Sequence, residues 1–382
     1  MKQKIRIGLL YGGKSAEREV SYLSAQAVSE SLDPDRYDVY PVAVSSSGRW
    51  MLVSPDERLP HPEQLESRLL GQADPERKTY PVPGPITTAQ SGERPPLDLV
   101  FPLIHGAFGE DGSLQGFLEI CGLPYVGTGV SGSALGMDKL LMKDVLRHHG
   151  LPVGPYTSLR RTDWERNPDE RIESIEQKLP YPLFIKPART GSSVGISKAH
   201  NREDLRAAFD LACKYDNMVV VEQAMSVREL ECGVIGTWAP QVSVVGEVVP
   251  EREFYDYHSK YLSENTQIQI PARIPTKLAQ QAREIARRAY SVLRCSGYAR
   301  LDLFLGTEND TIYVNEVNTI PGFTVHSMFP LLWEASGVSF SELLDRLIGF
   351  AMERYEDESR NSYDVPEEGV APPDHDWESG KG

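Results

Sequence analysis

The chain opens with a strand-length apolar run, stopped by two glycines and followed at once by a helix-patterned segment. Residues 4–11 read as a strand closed by Gly12-Gly13, and 15–31 as the helix after it, with Ser15 placed to cap that helix. Residues 37–44 and 97–103 read as further strands, and 112–121 as a helix. Strand–helix–strand order predicts an α/β fold with a mainly parallel, doubly wound sheet. A helix over 131–149 opens a second unit, with strands at 181–186 and 218–222 and a helix at 202–214 between them. Near Val227 the pattern changes. Residues 230–237, 242–249, 297–305 and 311–317 read as strands, and 276–293 as one long helix.

Two stretches break this order. Nine of the 28 prolines fall within 48–96, which excludes a long helix there apart from a short piece near 62–70. This stretch reads as an insertion in the first domain. From Glu353 onward there are ten acids against three bases and almost no aliphatic residues. Such a segment cannot bury enough apolar surface to offset its ordering entropy, so the folded part is expected to end near Arg354 with a disordered acidic tail after it. At ~150 residues per domain, 382 residues imply two or three domains. The expected division is 1–129, 130–225 and 226–354, with 355–382 as the tail.

Composition narrows the class. Forty bases against 55 acids give a net charge of −15, which argues against a nucleic-acid partner. No apolar run reaches the ~18 residues a membrane helix needs, and Arg6 interrupts the only apolar stretch near the start, so no signal peptide or membrane anchor is expected. Cys121, Cys213, Cys232 and Cys295 lack metal-ligand spacing and read as reduced core residues of a cytoplasmic protein.

Two glycine patterns match well-known expressions. Residues Gly8 to Ser15 fit the P-loop expression, but Gly8 lies inside the apolar run and leaves little loop to wrap a triphosphate. Gly12-Gly13 reads instead as a tight turn aiming a helix N-terminus at a small anionic ligand. Gly127, Gly129 and Gly132 fit the dinucleotide fingerprint, yet follow a very short strand with no acid closing a following strand, so no dinucleotide site is expected.

The chemistry concentrates in Tyr298-Ala-Arg-Leu-Asp-Leu-Phe-Leu305, a turn, and Thr311-Ile-Tyr-Val-Asn-Glu-Val-Asn318. Alternation puts Arg300 and Asp302 on one strand face, and Glu316 and Asn318 on one face of the next. A hairpin would bring the four together. All the candidate donors are oxygens, which suits a hard cation such as Mg²⁺; a surface salt bridge is the plainer alternative. In Phe184-Ile-Lys186-Pro-Ala-Arg-Thr-Gly-Ser-Ser-Val-Gly195, a strand-end lysine precedes a Gly/Ser loop able to fold over phosphates. Residues 219–225 form an apolar strand ending in Glu222, whose main-chain edge could meet an adenine.

In this order the pieces resemble the ATP-grasp superfamily and, within it, the D-alanine–D-alanine ligase family. Further matching words are Tyr-Gly-Gly-Lys-Ser-Ala-Glu-Arg-Glu-Val-Ser (11–21), His-Gly-Ala-Phe-Gly-Glu-Asp-Gly-Ser-Leu-Gln-Gly (105–116), Met-Asp-Lys (137–139), Phe-Tyr-Asp-Tyr-His-Ser-Lys-Tyr (254–261) and Asn-Glu-Val-Asn-Thr-Ile-Pro-Gly-Phe-Thr-Val-His-Ser (315–327). The resemblance implies an ATP-grasp fold: an N-terminal doubly wound domain, plus central and C-terminal α+β domains that clamp ATP. It implies a cytoplasmic homodimer serving peptidoglycan precursor synthesis. ATP phosphorylates one D-alanine, and the amine of a second D-alanine attacks the acyl phosphate. A D-alanine–D-lactate ligase is the alternative.

The roles are carried over residue by residue from that resemblance. Asp302, Glu316 and Asn318 match ligands of two Mg²⁺ ions, for which Mn²⁺ can substitute. Lys139 and Lys186 match phosphate-contacting lysines, Ser193 lies in the phosphate loop, and Lys260 reaches the γ-phosphate when a mobile loop closes. Glu222 and Glu229 serve adenine and ribose. Arg300 and the N–H of Gly322 stabilise the oxyanion, where losing one donor costs ~3–4 kcal/mol. Glu17 holds the first substrate's ammonium, and His105 lies near its carboxylate. Ser327 and the N–H of Met328 hold the second substrate's carboxylate. Tyr261 bonds to Ser192, which bonds to Glu17, locking the lid and favouring the dipeptide product.

Overall fold

The first strand, β1 (Ile5–Gly12), is buried on both faces, which is why its sequence is a near-continuous apolar run. It pairs in parallel with β2 (Tyr37–Val44) and β4 (Leu99–Pro102), while the short β3 (Trp50–Leu52) runs antiparallel on the outer edge of β2. On one face Ile7, Leu9 and Tyr11 pack against Tyr22, Ala25 and Val28 of α1 (Arg18–Ser31). A short helix, α2 (Pro62–Gly71), lies beside α1. On the other face Leu10 packs with Leu114 and Leu118 of α3 (Ser113–Ile120). Helices on both faces of a mainly parallel sheet are the doubly wound arrangement expected from the sequence. The computed structural model describes residues 3–15, 17–53, 58–71, 97–191, 193–249 and 267–363.

One local expectation about this region is borne out and another is corrected. Gly8 sits mid-strand, paired to Tyr40 and Val100, so it opens no phosphate loop. Ser15 does not cap α1: its Oγ accepts from the N–H of Glu17 at 3.2 Å, and Glu17 is the residue that precedes the first turn. Glu17, at that helix start, faces a cavity.

The expected helix over 131–149 is two helices, α4 (Val130–Met137) and α5 (Lys139–His148). Asp138 is extended between them, and its Oδ1 accepts from the N–H groups of Leu140 and Leu141, both at 3.0 Å. An N-cap inside a periodic apolar pattern thus restarts the helix and fixes Lys139 in its first turn. The glycine fingerprint around Gly127 serves packing: with φ +105, Gly127 lets the chain lie against the Tyr298 ring and the backbone of Gly297.

A second sheet is wholly antiparallel, in the order β5 (Tyr156–Arg160), β8 (Met218–Gln223), β6 (Leu183–Pro187), β7 (Ser197–Ala199). Its core is closed by α6 (Arg161–Arg166), α7 (Pro168–Glu176) and α8 (Arg202–Ala212), with Trp164 stacked on Phe209 at 4.5 Å. Sequence reading passed over β5, α6, α7 and β7.

The third sheet is also antiparallel, ordered β11-β10-β9-β12-β13. Its strands are β9 (Val227–Gly236), β10 (Gln241–Val249), β11 (Gln267–Gln269), β12 (Gly297–Gly306) and β13 (Ile312–Asn318). The long helix α9 (Thr276–Val292) lays Ala282, Ala286 and Ala289 on one face of this sheet, against Leu301 and Leu303. Two helices come next, α10 (Met328–Glu334) and α11 (Phe340–Glu358). The folded part therefore runs past Arg354. That buried arginine donates to Tyr125 O and Ser296 Oγ, each at 2.9 Å, and stacks 4.2 Å over the Tyr125 ring. These bonds hold the last turns of α11 in place although the turns are acidic. The rest of the expected tail, 364–382, and most of the Pro-rich insertion lie outside the described residues.

Candidate active site

The β12–β13 hairpin forms as alternation predicted. Arg300 stands opposite Asn318 and Asp302 opposite Glu316, while Leu301 and Leu303 point into the core. The strand on the other side, β9, adds Glu231 opposite Asp302. Arg300 donates to Asp302 through Nε (2.7 Å) and Nη2 (2.8 Å), and its Nε lies 2.8 Å from Glu231 Oε2. Asn318 Nδ2 donates to Asp302 Oδ2 at 2.9 Å. These side chains are largely buried, so the plain reading of a surface salt bridge does not hold. One guanidinium pairs with two carboxylates, Asp302 and Glu231, and Glu316 stands across the hairpin from Asp302, so acids outnumber the cation here. An all-oxygen donor set of this kind fits a hard divalent cation.

A cavity of about 400 Å³ opens over this face. Glu17, His105, Gly322, Ser327 and Met328 line one part, and Lys139, Ser193, Arg300, Glu316 and Asn318 another. Asp302 stands behind, holding Arg300 and Asn318. Glu17 is buried between two glycines. A Cβ on Gly106 would come within 2.9 Å of Glu17 Oε2, and one on Gly191 within 3.1 Å. The Gly/Ser loop after β6 thus comes close to Glu17 at the start of α1, where a side chain at Gly106 or Gly191 would crowd its carboxylate. Gly322 lies close against Ser327, whose Oγ accepts from the N–H of Thr324 at 3.1 Å.

His105 Nδ1 donates to Ile320 O at 2.7 Å. That bond places the imidazole proton on Nδ1, because a carbonyl can only accept. Burial lowers the imidazole pKa against the opposing charge of Glu17, which keeps the ring neutral. Its Nε2 is buried and makes no hydrogen bond.

A second cavity of about 180 Å³ adjoins the first, and Ser193 and Glu316 line both. Glu222 and Glu229 are in its wall with Lys186. Glu222 is held between two ammonium groups: Lys186 Nζ at 2.9 Å and Lys143 Nζ at 3.1 Å. Burial pushes the Glu222 carboxyl up, but the two lysines outweigh it and hold it at about 2. Lys186 is therefore paired with Glu222 rather than standing alone at the loop. Lys139 Nζ donates to Thr190 O at 2.7 Å, within the phosphate-loop segment.

Sequence reasoning missed Lys143, Glu231 and Glu110. Lys143 comes one helical turn after Lys139, and Glu231 shares a strand face with Glu229; both periodicities were visible. Glu110 lay inside a recognised word without a role. The expected residues Ser192, Lys260 and Tyr261, with the lid segment 254–261, lie outside the described residues. Among the described residues no helix is long and apolar enough to cross a membrane.

The family described as D-ala D-ala ligase N-terminus matches residues 6–128, and D-ala D-ala ligase C-terminus matches 145–349. A D-alanine–D-alanine ligase of Natranaerobius thermophilus is 43% identical over 96% of this chain and 100% of its own. One from Geobacillus kaustophilus is 44% identical over 96% and 99%. Among solved structures, the D-alanine–D-alanine ligase from Coxiella burnetii aligns with a TM-score of 0.76 at 32% identity, covering 93% of this chain and 96% of that one. The VanG D-Ala:D-Ser ligase from Enterococcus faecalis aligns with a TM-score of 0.78 at 36% identity, covering 91% and 100%.

Proposed function

The chain belongs to the D-alanine–D-alanine ligase family, and from that premise we propose how its own residues divide the work. It is an ADP-forming ligase that joins two D-alanines with ATP. The observation that carries the assignment of sites is the wall shared by the two cavities at Ser193 and Glu316. It supports a reading in which a nucleotide occupies the smaller cavity and the amino acids the larger one, with the γ-phosphate directed across the boundary.

Glu222, fixed by Lys143 and Lys186, and Glu229 recognise adenine and ribose. Lys139 and Lys186 offer charge to the phosphates, with Lys260 joining from the lid. Two Mg²⁺ ions, held by Asp302, Glu316 and Asn318, would neutralise the phosphate oxygens. Glu17 binds the ammonium of the first D-alanine, the one partner that a buried carboxylate at this place favours. Its carboxylate then faces the transferred phosphoryl group, and His105 stands near it. Ser327 and the N–H of Met328 hold the carboxylate of the second D-alanine. As its amine attacks, negative charge grows on the carbonyl oxygen, and Arg300 with the N–H of Gly322 stabilises it. Tyr261, through Ser192 and Glu17, closes the lid and keeps water from the acyl phosphate. A cytoplasmic homodimer is proposed on the family resemblance alone.

The test is phosphate release from ATP with Mg²⁺ and no amino acid, L-alanine, D-alanine, D-alanine with D-serine, or D-alanine with D-lactate, with products identified by mass. Release with D-alanine alone, yielding D-alanyl-D-alanine, is the expected result. Release only with D-serine or D-lactate present would overturn the assigned second substrate.

A further inference from the structure

One carboxylate beside the cavity has no part in this scheme. Glu110 is reached from two sides by main-chain donors. Its Oε2 accepts from the N–H of Gly106 at 2.6 Å, and its Oε1 accepts from the N–H of Ile320 at 2.8 Å. Those donors are far apart in sequence: one comes directly after His105, the other lies in the loop after β13. Ile320 is also held through its carbonyl by His105 Nδ1 at 2.7 Å. The segment around 105–110 therefore grips Ile320 by both its N–H and its C=O.

The next two residues make this grip consequential. Pro321 has its φ locked by its ring, and the peptide before it is planar. Once the Ile320 carbonyl is fixed, the ψ of Pro321 is the main soft dihedral left before the N–H of Gly322. On the far side, the N–H of Phe323 donates to Ser24 Oγ at 3.1 Å, and its ring is fully buried. Gly322 is thus anchored one residue after and two residues before.

We infer that Glu110 is a positioning residue, which aims the Gly322 N–H at the developing oxyanion by holding Ile320 to the His105 segment. The inference rests on the role proposed for Gly322 above. It explains why a carboxylate is tolerated beside Glu17 in a buried site. Burial and the charge of Glu17 push the Glu110 carboxyl up to about 8 although two N–H groups oppose them. Such a residue is retained for geometry rather than stability. Glutamine cannot replace it: each carboxyl oxygen keeps a lone pair for an N–H even when one of them is protonated, whereas an amide would turn its NH₂ against one of the donors.

The test compares the full-length wild type with Glu110→Gln, Glu110→Asp and Glu119→Gln. Glu119 is exposed on α3, accepts from Tyr125 Oη at 2.7 Å, and stands outside the site. Steady-state kinetics are paired with amide hydrogen exchange across 319–323. Glu110→Gln is expected to lower kcat about ten- to a hundred-fold while KM for ATP stays within about two-fold. Exchange at Ile320 and Gly322 should accelerate. Glu110→Asp keeps both acceptors but is one methylene short, so it should move both readouts the same way, and less. Glu119→Gln should change neither. Wild-type kcat in Glu110→Gln, unchanged exchange across 319–323, or an equal kcat loss in Glu119→Gln would each overturn the inference. A wild type without D-alanine-dependent turnover would instead refute the proposed function; accelerated exchange in Glu110→Gln would then still support the hold on Ile320.

Discussion

Two buried charge clusters, one on each antiparallel sheet, are built as opposites. On the third sheet a single cation, Arg300, is held by Asp302 and Glu231, with Glu316 across the hairpin. On the second, a single carboxylate, Glu222, is held by Lys143 and Lys186. A balanced buried pair cancels and attracts little; an unbalanced one keeps a charge that must find a partner. The first cluster is left negative and suits divalent cations. The second has two lysines to one carboxylate, although burial lowers the Lys143 pKa, and it stands beside the cavity proposed for the nucleotide. Glu316 lies between them, lining both cavities and close enough to Lys143 to act on it electrostatically.

Breaking the first cluster should have the largest effect. Arg300→Met leaves its acidic neighbours without their cation and removes an oxyanion donor. It should lower kcat by about 10²–10³ and destabilise the fold by ~3–5 kcal/mol; initial rates and urea unfolding check both. Near-normal rates would remove Arg300 from the site. Glu316→Gln leaves the pair of Arg300 and Asp302 intact, so the melting temperature should hold. Turnover should fall about a hundred-fold, with a steeper need for Mg²⁺. A metal titration of the rate reads this directly, and an unchanged half-saturation point would count against Glu316 as a ligand.

The second cluster should respond differently. Lys143→Met halves the cationic charge around Glu222 and leaves the amino-acid cavity untouched. KM for ATP should rise about ten-fold, equivalent to ~1.4 kcal/mol, while KM for D-alanine stays put. Equal shifts in the two constants would blur the contrast between the clusters. The smallest effect is on pH. Glu222 sits at about 2 when folded, below the ordinary 4.5. As pH falls, the unfolded chain takes up this proton first, so the contribution to stability is present above about 4.5 and lost towards about 2. In Lys143→Met the folded value moves back toward 4.5, so the loss should still begin near 4.5 but be smaller and end at a higher pH, as urea midpoints across that window would show.

The two clusters were unequally legible. Arg300, Asp302, Glu316 and Asn318 lie on adjacent strands joined by a short turn, so a two-residue period was enough to put them on one face. Strand β2 and helix α9 were read nearly to the residue because each shows its pattern within one continuous segment. The Glu222 cluster joins a helix to two strands, and periodicity names faces rather than partners. Lys143 and Lys186 could not be matched to one carboxylate without the backbone. Glu110 is harder still, because its partner Ile320 is 210 residues away. Asp138 shows the converse failure: an unbroken apolar pattern hid a capping residue that starts a new helix.

The most direct measurement is calorimetric binding of ADP, with and without Mg²⁺, to the wild type, Glu316→Gln and Lys186→Met. Glu316→Gln should keep metal-free ADP binding and lose the increment that Mg²⁺ adds. Lys186→Met should weaken ADP binding under both conditions. If the two variants lost the same binding in the same way, the clusters would not be a cation site and a nucleotide site, and the division of labour built on them would be wrong.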